Sequence, residues 1–261
     1  MSIFCVILEA KVYKKNERHN EIIEILKFSR YATVDYLASE LHISPSSIRR
    51  DLAALEAMGS VTRSHGGVSL TVSDNLNISF AMRMKSNSSE KRKIAEKAID
   101  LVCDGDVVFV DASSTTMHLI HRLTDKKGIT VITNGIPALH YLSDFKMKVI
   151  CTGGTLDSED RAALVGNEAM RVVRDMRANI AFISPQAIDS EGVLFDCYRE
   201  EAAVTRQMIE CAALKVCLCD SSKIGKSSTF KQCSFSDLDV VVCDTPLGDI
   251  FGEKFPKTKF I

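Results

Sequence analysis

The chain has 261 residues, of which 46% are hydrophobic and 26% charged, and its formal net charge is -1 at pH 7. This length and composition are typical of one large or two smaller folded domains, and they exclude a disordered or membrane-embedded chain. A net charge so close to zero gives no overall field that would attract DNA.

The first sixteen residues are expected to be an N-terminal extension. The apolar stretch 1–12 has neither the basic start nor the small-residue cleavage site of a secretory signal, and it is too short to span a bilayer. A strand-like extension and an upstream start codon read as coding both remain open. No other stretch looks transmembrane, so we expect a cytoplasmic protein with no membrane partner.

Two helices joined by a short turn are predicted next. Residues 17–28 carry apolar side chains at helical spacing, which predicts a first helix. Thr33 suits the cap of a second helix, and only a very short turn separates that helix from a third one beginning at Pro45. This arrangement is typical of a helix-turn-helix.

The third helix combines an apolar stripe with a face suited to DNA. Ile48, Leu52 and Leu55 fall on one stripe at 100° per residue. The other face carries two arginines among small, hydroxylated residues, and guanidinium forks suit phosphate oxygens or the O6/N7 edge of guanine. We predict a DNA recognition helix; the alternative is an ordinary amphipathic helix with two solvated arginines.

Two short strands after this helix predict a β-wing. Residues 61–64 and 68–70 flank the tight turn His65-Gly66-Gly67, and Gly59 suits the end of the helix. Three helices and a wing make a winged helix-turn-helix, whose partner would be double-stranded operator DNA. The residues predicted to contact DNA are Ser44, Ser46, Ser47, Arg49, Arg50, Arg63 and His65.

The charge of the predicted winged helix-turn-helix gives little support to the prediction that it binds DNA. Residues 17–65 hold six Lys or Arg against seven Asp or Glu, so the basic footprint of a DNA-binding domain is absent. The prediction therefore depends on where the arginines lie, and a winged helix that binds protein is an alternative. Residues 83–97 do hold six basic side chains against two acidic ones. We expect a solvated helix face there, with phosphate contacts as the other option.

The pattern Ser44-x-x-x-Ile48-Arg49-Arg50-Asp51-Leu52, continuing to Gly59, and the wing pattern Arg63-x-His65-Gly66-Gly67 closely resemble the DeoR family of bacterial transcriptional regulators. The resemblance extends through 80–95 and, more weakly, to about residue 244. It implies a C-terminal domain similar to ribose-phosphate isomerases that senses phosphorylated sugars. The domains are accordingly expected at 1–16 (extension), 17–69 (DNA binding), 70–89 (linker) and 90–261 (effector sensing and oligomerisation).

The C-terminal region has the pattern of an α/β domain. From Glu90 onwards, short apolar runs alternate with helical segments, which predicts a mostly parallel sheet covered on both faces. Ligands bind such sheets beyond the carboxyl ends of the strands. The strand candidates are 107–110, 130–133, 148–151, 179–183, 215–219 and 240–243.

Polar or glycine residues follow four of these strands and predict an effector site. A hydroxyl-rich turn leads into a helix whose N–H groups can hold phosphate, and a lysine adds a cation. Four loops with ordinary helix caps are the alternative. The predicted effector-binding residues are Asp111, Ser113, Ser114, Thr115, Thr116, Thr133, Asn134, Gly153, Gly154 and Lys223. The resemblance adds Asp220 to this set.

The sequence departs from the family's pattern near this site. Ser113 stands where the family has Gly, and Asp157 lies near the usual place of an arginine. Residues 184–187 replace a Gly-containing acidic loop, and Thr205 replaces a lysine. A lost cation and an added acid weaken anion binding. A neutral sugar, another metabolite and a vestigial pocket therefore stay open beside a phosphorylated sugar.

No metal, disulfide or cofactor is expected. The nine cysteines contain no C-x-x-C pair and are interpreted as buried thiols in a reducing compartment. His118 and His121 lie three residues apart without a third candidate ligand, so they are interpreted as packing or surface residues.

The expected function is repression of a carbohydrate-metabolism operon by a dimer or tetramer, relieved by a small-molecule effector. The alternative is a sugar-phosphate isomerase-like enzyme with an attached DNA-binding domain. Such an enzyme needs a carboxylate base on an acidic loop, and residues 184–187 supply none. We therefore expect no enzyme activity.

Overall fold

The computed structural model describes residues 18–26, 32–58, 60–64, 67–70, 80–158 and 162–261. The chain divides into two compact units, Met1–Ile78 and Ser79–Ile261, and each is described by itself. The predicted extension 1–16 and the residues Gly59, His65 and Gly66 lie outside the described residues.

The first unit is the predicted winged helix-turn-helix. Thr33 caps helix α2 by accepting a hydrogen bond from the backbone N of Tyr36 at 3.1 Å. Ser44 caps helix α3 in the same way, accepting from the backbone N of Ser47 at 3.3 Å, with Pro45 in the first turn. The elements are α1 (18–26), α2 (Val34–Glu40), α3 (Pro45–Ala57), β1 (Val61–Ser64) and β2 (Gly67–Leu70).

The core of this unit confirms the predicted stripe of the third helix. Ile48, Leu52 and Leu55 are at most 1% exposed. Strands β1 and β2 pair antiparallel, and both contribute valine side chains to the interior. Since burial of an aliphatic side chain stabilises a fold by about 1.5–3 kcal/mol, this stripe fixes which face of α3 points outward. The other buried apolar residues here are Ile22, Ile23, Leu26, Ala32, Leu37, Ala38, Val61 and Val68.

The second unit is an α/β domain, as predicted, and all six predicted strands are present. Its helices are α4 (Phe80–Lys85), α5 (Ser88–Ala98), α6 (Ser114–Leu123), α7 (Ile136–Leu142), α8 (Asn167–Arg174), α9 (Arg199–Glu210) and α10 (Gly248–Phe251). Its strands are β3 (Val107–Val110), β4 (Thr130–Thr133), β5 (Lys148–Cys151), β6 (Thr155–Leu156), β7 (Leu164–Val165), β8 (Ala178–Ile183), β9 (Ala187–Ile188), β10 (Val193–Asp196), β11 (Ala212–Cys219), β12 (Phe230–Ser234), β13 (Val240–Cys243) and β14 (Lys259–Phe260).

A seven-stranded parallel sheet organises this unit. Its strand order is β14-β13-β11-β8-β3-β4-β5, and every neighbouring pair is parallel. From β3 the chain adds β4 and then β5 on one side of the sheet. From β8 it adds β11, β13 and then β14 on the other side. The order therefore reverses between β3 and β8, which is where open α/β sheets form their ligand crevice.

Two features differ from the prediction. Helices α4 and α5 occupy much of the second half of the segment expected to be a linker, 70–89, and belong to the second unit. A small antiparallel sheet, in the order β12-β10-β9, was also not anticipated. Its strands have two to five residues and no sustained alternation, so their pattern is too short to distinguish them from loops.

None of the eight described cysteines forms a disulfide, and five of them are buried. Cys151 was expected inside the sheet but is exposed, because β5 is an edge strand of that sheet. Within the described ranges no helix is long and apolar enough to cross a membrane.

Candidate functional sites

The outer face of α3 presents the residues predicted to contact DNA. Arg49, Arg50 and Ser46 are exposed, on the side away from the buried stripe. The Ser44 hydroxyl donates to Ser47 Oγ at 3.0 Å, and Arg50 Nη2 lies 3.5 Å from the same oxygen. The first turns of the helix therefore present two guanidinium groups beside a cluster of hydroxyl groups. All of these groups can contact one polar surface, whether it is flat or grooved.

Asp51 anchors this helix, a role that the sequence analysis did not predict. Its carboxylate is 2% exposed and accepts two hydrogen bonds from Arg18, one from Nε at 2.8 Å and one from Nη2 at 2.9 Å. These hydrogen bonds raise the pKa of Arg18. His19 Nε2 lies 3.4 Å from the same carboxylate. A bidentate pair between α1 and α3 fixes the angle at which the two arginines project.

Arg63, the described DNA-contact candidate of the wing, is exposed on β1 and lies beside α3. Its Nη1 is 3.6 Å from Glu56 Oε2, and both side chains are at least 40% exposed. An exposed pair of this kind contributes about 0–1 kcal/mol, so Arg63 can exchange Glu56 for another anion at little cost. His65 lies outside the described residues.

The ligand-site candidates of the second unit lie at the carboxyl edge of the parallel sheet. Asp111 follows β3 and is 5% exposed. It lies where the strand order reverses, between β3 and β8. Its Oδ2 accepts a hydrogen bond from the backbone N of Ser184, beyond β8, at 2.7 Å. Burial raises the pKa of Asp111, against the opposing effect of hydrogen bonds from Ser184, Ser113 and Thr116.

The first turn of α6 is a buried cluster of hydroxyls. Ser113 caps the helix by accepting from the backbone N of Thr116 at 3.2 Å, although it stands where a glycine was expected. The Thr116 hydroxyl donates to Asp111 Oδ1 at 2.8 Å. Ser114, Thr115 and Thr116 are each at most 5% exposed.

Lys223 reaches this cluster from the loop after β11. Its Nζ donates to Ser184 Oγ at 2.8 Å and lies 3.4 Å from Thr115 Oγ1. Ser184 belongs to the loop that departs from the family's pattern, and its hydroxyl takes part in the site. Lys223 thus places a positive charge beside the N-terminal turn of α6.

The ends of β4 and β5 complete the predicted set. Thr133 is fully buried, and its hydroxyl accepts from the backbone N of Gly135 at 3.0 Å. Asn134 is 3% exposed; its Nδ2 donates to the carbonyl of Leu164 at 3.1 Å, while its Oδ1 has no hydrogen-bond partner among the described residues. Gly153 and Gly154 follow β5, both with positive φ.

Lys91 was expected on a solvated helix face, and this was wrong. The side chain is 4% exposed, and its Nζ donates to Ser114 Oγ at 3.1 Å and to the carbonyl of Arg83. It lies on the inner face of α5, four residues after Asn87. The spacing of Asn87 and Lys91 is the signal that could have identified a helix face directed at the site.

Asp196 and Gln232 form a second polar pair that the sequence analysis missed. The Asp196 carboxylate is 8% exposed and accepts from Gln232 Nε2 at 2.8 Å and from the backbone N of Cys197 at 2.7 Å. Burial raises its pKa, and the nearby charge of Asp111 adds to that effect. Gln232 Oε1 is buried and has no hydrogen-bond partner among the described residues.

The two histidines of α6 take part in ring packing. His121 lies 4.5 Å from the Tyr141 ring and 6.1 Å from His118, both in edge-to-face geometry, and burial lowers the pKa of each histidine. In the part of the chain that the structure describes, no group of three or more His, Cys, Asp or Glu side chains is placed to hold a metal ion.

Two family models match the two units. A model described as the DeoR-like helix-turn-helix domain matches residues 18–74, and one described as the DeoR C terminal sensor domain matches residues 86–245. Together they cover the recognition helix, the wing, the strand ends and Lys223.

Curated relatives match along most of the chain. The glycerol-3-phosphate regulon repressor of Escherichia coli is 29% identical, over 89% of this chain and 92% of its own. The HTH-type transcriptional regulator GlpR of Haloferax volcanii is 32% identical, over 88% and 90%. The HTH-type transcriptional repressor GlcR of Bacillus subtilis is 31% identical, over 88% of both chains.

Among solved structures, the ribose 5-phosphate isomerase of Methanocaldococcus jannaschii is similar to this chain over 53% of the chain and 55% of its own. The identity is 18% and the TM-score 0.41, a likeness too slight to bear on activity.

Proposed function

Because the chain belongs to the DeoR family of DNA-binding transcriptional regulators, we propose that it represses a carbohydrate-metabolism operon and is released from its operator by a phosphorylated sugar or a related metabolite. The observation that carries the DNA-binding part is the outer face of α3, where Arg49 and Arg50 are exposed beside a hydroxyl cluster. The relatives named above are repressors or regulators, and the name of the Escherichia coli relative refers to the glycerol-3-phosphate regulon.

In this proposal α3 enters the major groove and the wing contacts the DNA backbone or the minor groove. Ser46, Arg49 and Arg50 face the bases, since they lie on the side opposite the buried stripe. The Ser44 and Ser47 hydroxyls lie at the start of the helix, where they and the backbone N–H groups suit a phosphate. Arg63 and His65 contact backbone or minor groove.

Replacing Arg50 with Ala should weaken operator binding about 5- to 150-fold, because loss of a bidentate contact to guanine costs roughly 1–3 kcal/mol. Gel-shift titrations across single-base operator variants measure this effect. Arg50→Lys is the matched variant, since it keeps the charge but loses the planar fork. A guanine contact predicts that Arg50→Lys also fails and that discrimination is lost at one position.

Uniform weakening across all operator variants, with Arg50→Lys close to the wild type, would instead make Arg50 a phosphate contact. A winged helix that binds protein predicts no steep fall of DNA affinity with salt, whereas neutralised phosphates predict a steep one. Titration of DNA binding from low to moderate salt therefore tests the proposal against this alternative.

We place the effector at the carboxyl edge of the sheet, with its anionic group at the first turn of α6. The N–H groups of that turn and the cation of Lys223 favour an anion there. Asp111 is itself an anion at this edge, but its oxygens are occupied by hydrogen bonds from Ser184, Ser113 and Thr116. These hydrogen bonds satisfy the Asp111 carboxylate within the protein.

The hydroxyl groups of the effector have two buried acceptors available. Asn134 Oδ1 and Gln232 Oε1 belong to side chains that are 3% exposed, and neither atom has a hydrogen-bond partner among the described residues. A buried acceptor without a partner costs about 1–3 kcal/mol, which a ligand hydroxyl recovers. Both side chains belong to the unit that carries Lys223, and in this proposal hydroxyl groups of a sugar phosphate donate to them.

Replacing Gln232 with Met should weaken the binding of a sugar phosphate about 5- to 10-fold and leave the binding of inorganic phosphate unchanged. The side chains have similar volume, so the substitution opens no cavity, although it removes the hydrogen bond to Asp196 together with the Oε1 acceptor. Isothermal titration with glycerol 3-phosphate, glucose 6-phosphate and inorganic phosphate measures the difference. Equal losses for all three ligands would mean that Gln232 supports the fold of the site and does not contact hydroxyl groups.

We propose that the protein acts as a dimer or tetramer in the cytoplasm. Operator half-sites are paired, so a helix-turn-helix protein binds them as a symmetric oligomer, and the effector changes the spacing of the paired recognition helices. A protein that binds operator DNA works in the compartment that holds the chromosome. Sedimentation of the protein with and without operator DNA measures the oligomer.

The proposal also assigns no enzyme activity to the second unit. The relatives reported above carry the names of transcriptional regulators. The loop 184–187 after β8 has no carboxylate to act as a base, since it reads Ser-Pro-Gln-Ala. Turnover of pentose phosphates by the purified protein would contradict this assignment.

A further inference from the structure

Helices α4 and α5, the first elements of the second unit, make direct contacts with the candidate effector site. Two side chains near the junction of these helices reach different loops of the sheet edge. Asn87 Nδ2 donates to Asp220 Oδ1 at 3.0 Å and to Ser222 Oγ at 2.9 Å, in the loop after β11. Lys91 donates to Ser114, after β3. We call residues 83–91 the α4–α5 corner.

Asp220 is central to these contacts. Its side chain is 1% exposed, and one of its oxygens accepts hydrogen bonds from both Asn87 and Ser222. Burial works against its ionisation, but the positive charge of Lys223, the hydrogen bond from Ser222 and the charge of Lys91 together lower the pKa of Asp220. Both lysines therefore favour the charged form of the Asp220 carboxylate.

The same two lysines flank the first turn of α6. Lys91 contacts Ser114 and Lys223 lies 3.4 Å from Thr115, so an anion bound at this turn interacts with both ammonium groups. Two anions that share two cations in a partly desolvated site repel each other. An anionic effector therefore weakens the attraction of both lysines for the Asp220 carboxylate, which is the acceptor of the Asn87 hydrogen bond.

We propose that Asp220 and the anionic effector compete for Lys91 and Lys223, and that Asn87 is the positioning residue that transmits the outcome to the α4–α5 corner. The corner lies near the start of the second unit, a few residues after the boundary at Ile78 and Ser79. Binding of an anion thus weakens a contact between the first helices of the second unit and the sheet edge. That change shifts the equilibrium between the conformations of the paired recognition helices. This inference rests on the proposed effector site.

Asn87→Gly tests the transmission. Asn87 has a φ of 51°, which glycine adopts without strain, so the variant loses the amide while its backbone stays permitted. We expect operator affinity without ligand to stay within about threefold of the wild type. The ligand-induced loss of operator binding should fall from more than tenfold to less than threefold. Arg92→Ala, exposed on α5, is the control and should respond as the wild type does.

Asp220→Asn tests the competition and is nearly isosteric. Competition predicts at least fivefold tighter binding of both inorganic phosphate and glycerol 3-phosphate, measured by isothermal titration. If Asp220 only orients the lysines, the same variant weakens both ligands, and the inference is overturned.

The outcomes separate this inference from the proposed function. A wild-type protein that glycerol 3-phosphate releases from DNA, and an Asn87→Gly variant that is released equally well, would overturn the role of Asn87 alone. A wild-type protein that binds operator DNA but neither phosphate ligand would overturn the effector class and the inference together.

Discussion

Replacing Asp51 with Ala should destabilise the winged helix unit by about 2–4 kcal/mol and abolish operator binding near physiological temperature. The carboxylate is 2% exposed and receives both hydrogen bonds of the Arg18 fork, so its removal leaves that guanidinium without its partner at the α1–α3 contact. Arg18 keeps 30% of its side chain exposed, which places the cost below that of a fully buried pair. A small unit has only a few kcal/mol to lose.

Hydrogen exchange of the backbone amides in α3 measures this effect in the full chain. Amides of β11 in the second unit should keep their protection, since Asp51 belongs to the other compact unit. Asp35→Ala is the matched control because Asp35 is an exposed aspartate in the first turn of α2 and contributes only a small helix-dipole term. Equal losses in the Asp51 and Asp35 variants would contradict the anchoring role.

The recognition helix shows which features can be predicted from the sequence alone and which cannot. Its cap, its first turn and its buried stripe follow from local rules, because Ser44, Pro45 and the 3.6-residue period act within a few residues of each other. The role of Asp51 does not follow from such rules. Its partner Arg18 is 33 residues away, and an aspartate in the middle of a helix looks like a solvated residue until the fold brings α1 against it.

The second unit shows the same difference between features set by neighbouring residues and features set by residues far apart in the chain. The six predicted strands are short, mostly apolar runs, so the pattern predicts both their place and their parallel arrangement. The contacts of Lys91 and Asn87 with the strand ends depend on how α5 packs against the sheet edge. Asn87 and Asp220 are 133 residues apart, and their charge and amide groups have no sequence pattern that would pair them.

The two glycines after β5 were predicted together as ligand-binding residues, but the structure gives them different surroundings. Gly154 has a φ of 106°, and a Cβ built there would lie 2.4 Å from the carbonyl oxygen of Val165 and 3.1 Å from Ala169 Cβ. Gly153 has a φ of 64° and no heavy atom within 4 Å of such a Cβ. The absence of a side chain at Gly154 is explained by packing against β7 and α8, while the space beside Gly153 is open to a ligand.

Replacing Gly154 with Ala should therefore destabilise the second unit by about 2–4 kcal/mol, because a backbone carbonyl must move in addition to the strain of a positive φ. Replacing Gly153 with Ala adds only that strain, about 1 kcal/mol. For a unit of this size, thermal unfolding should shift by about 5–12 °C for Gly154→Ala and by about 2–4 °C for Gly153→Ala.

Ligand titrations complete this comparison. Gly153→Ala is the informative variant for binding, because its fold is less disturbed than that of Gly154→Ala. If a phosphate approaches the backbone at residue 153, Gly153→Ala weakens glycerol 3-phosphate binding while the fold stays nearly intact. Equal melting temperatures for the two variants would contradict the packing explanation of Gly154. Unchanged ligand affinity in Gly153→Ala would remove residue 153 from the effector site and confine the anion to the first turn of α6 and its two lysines.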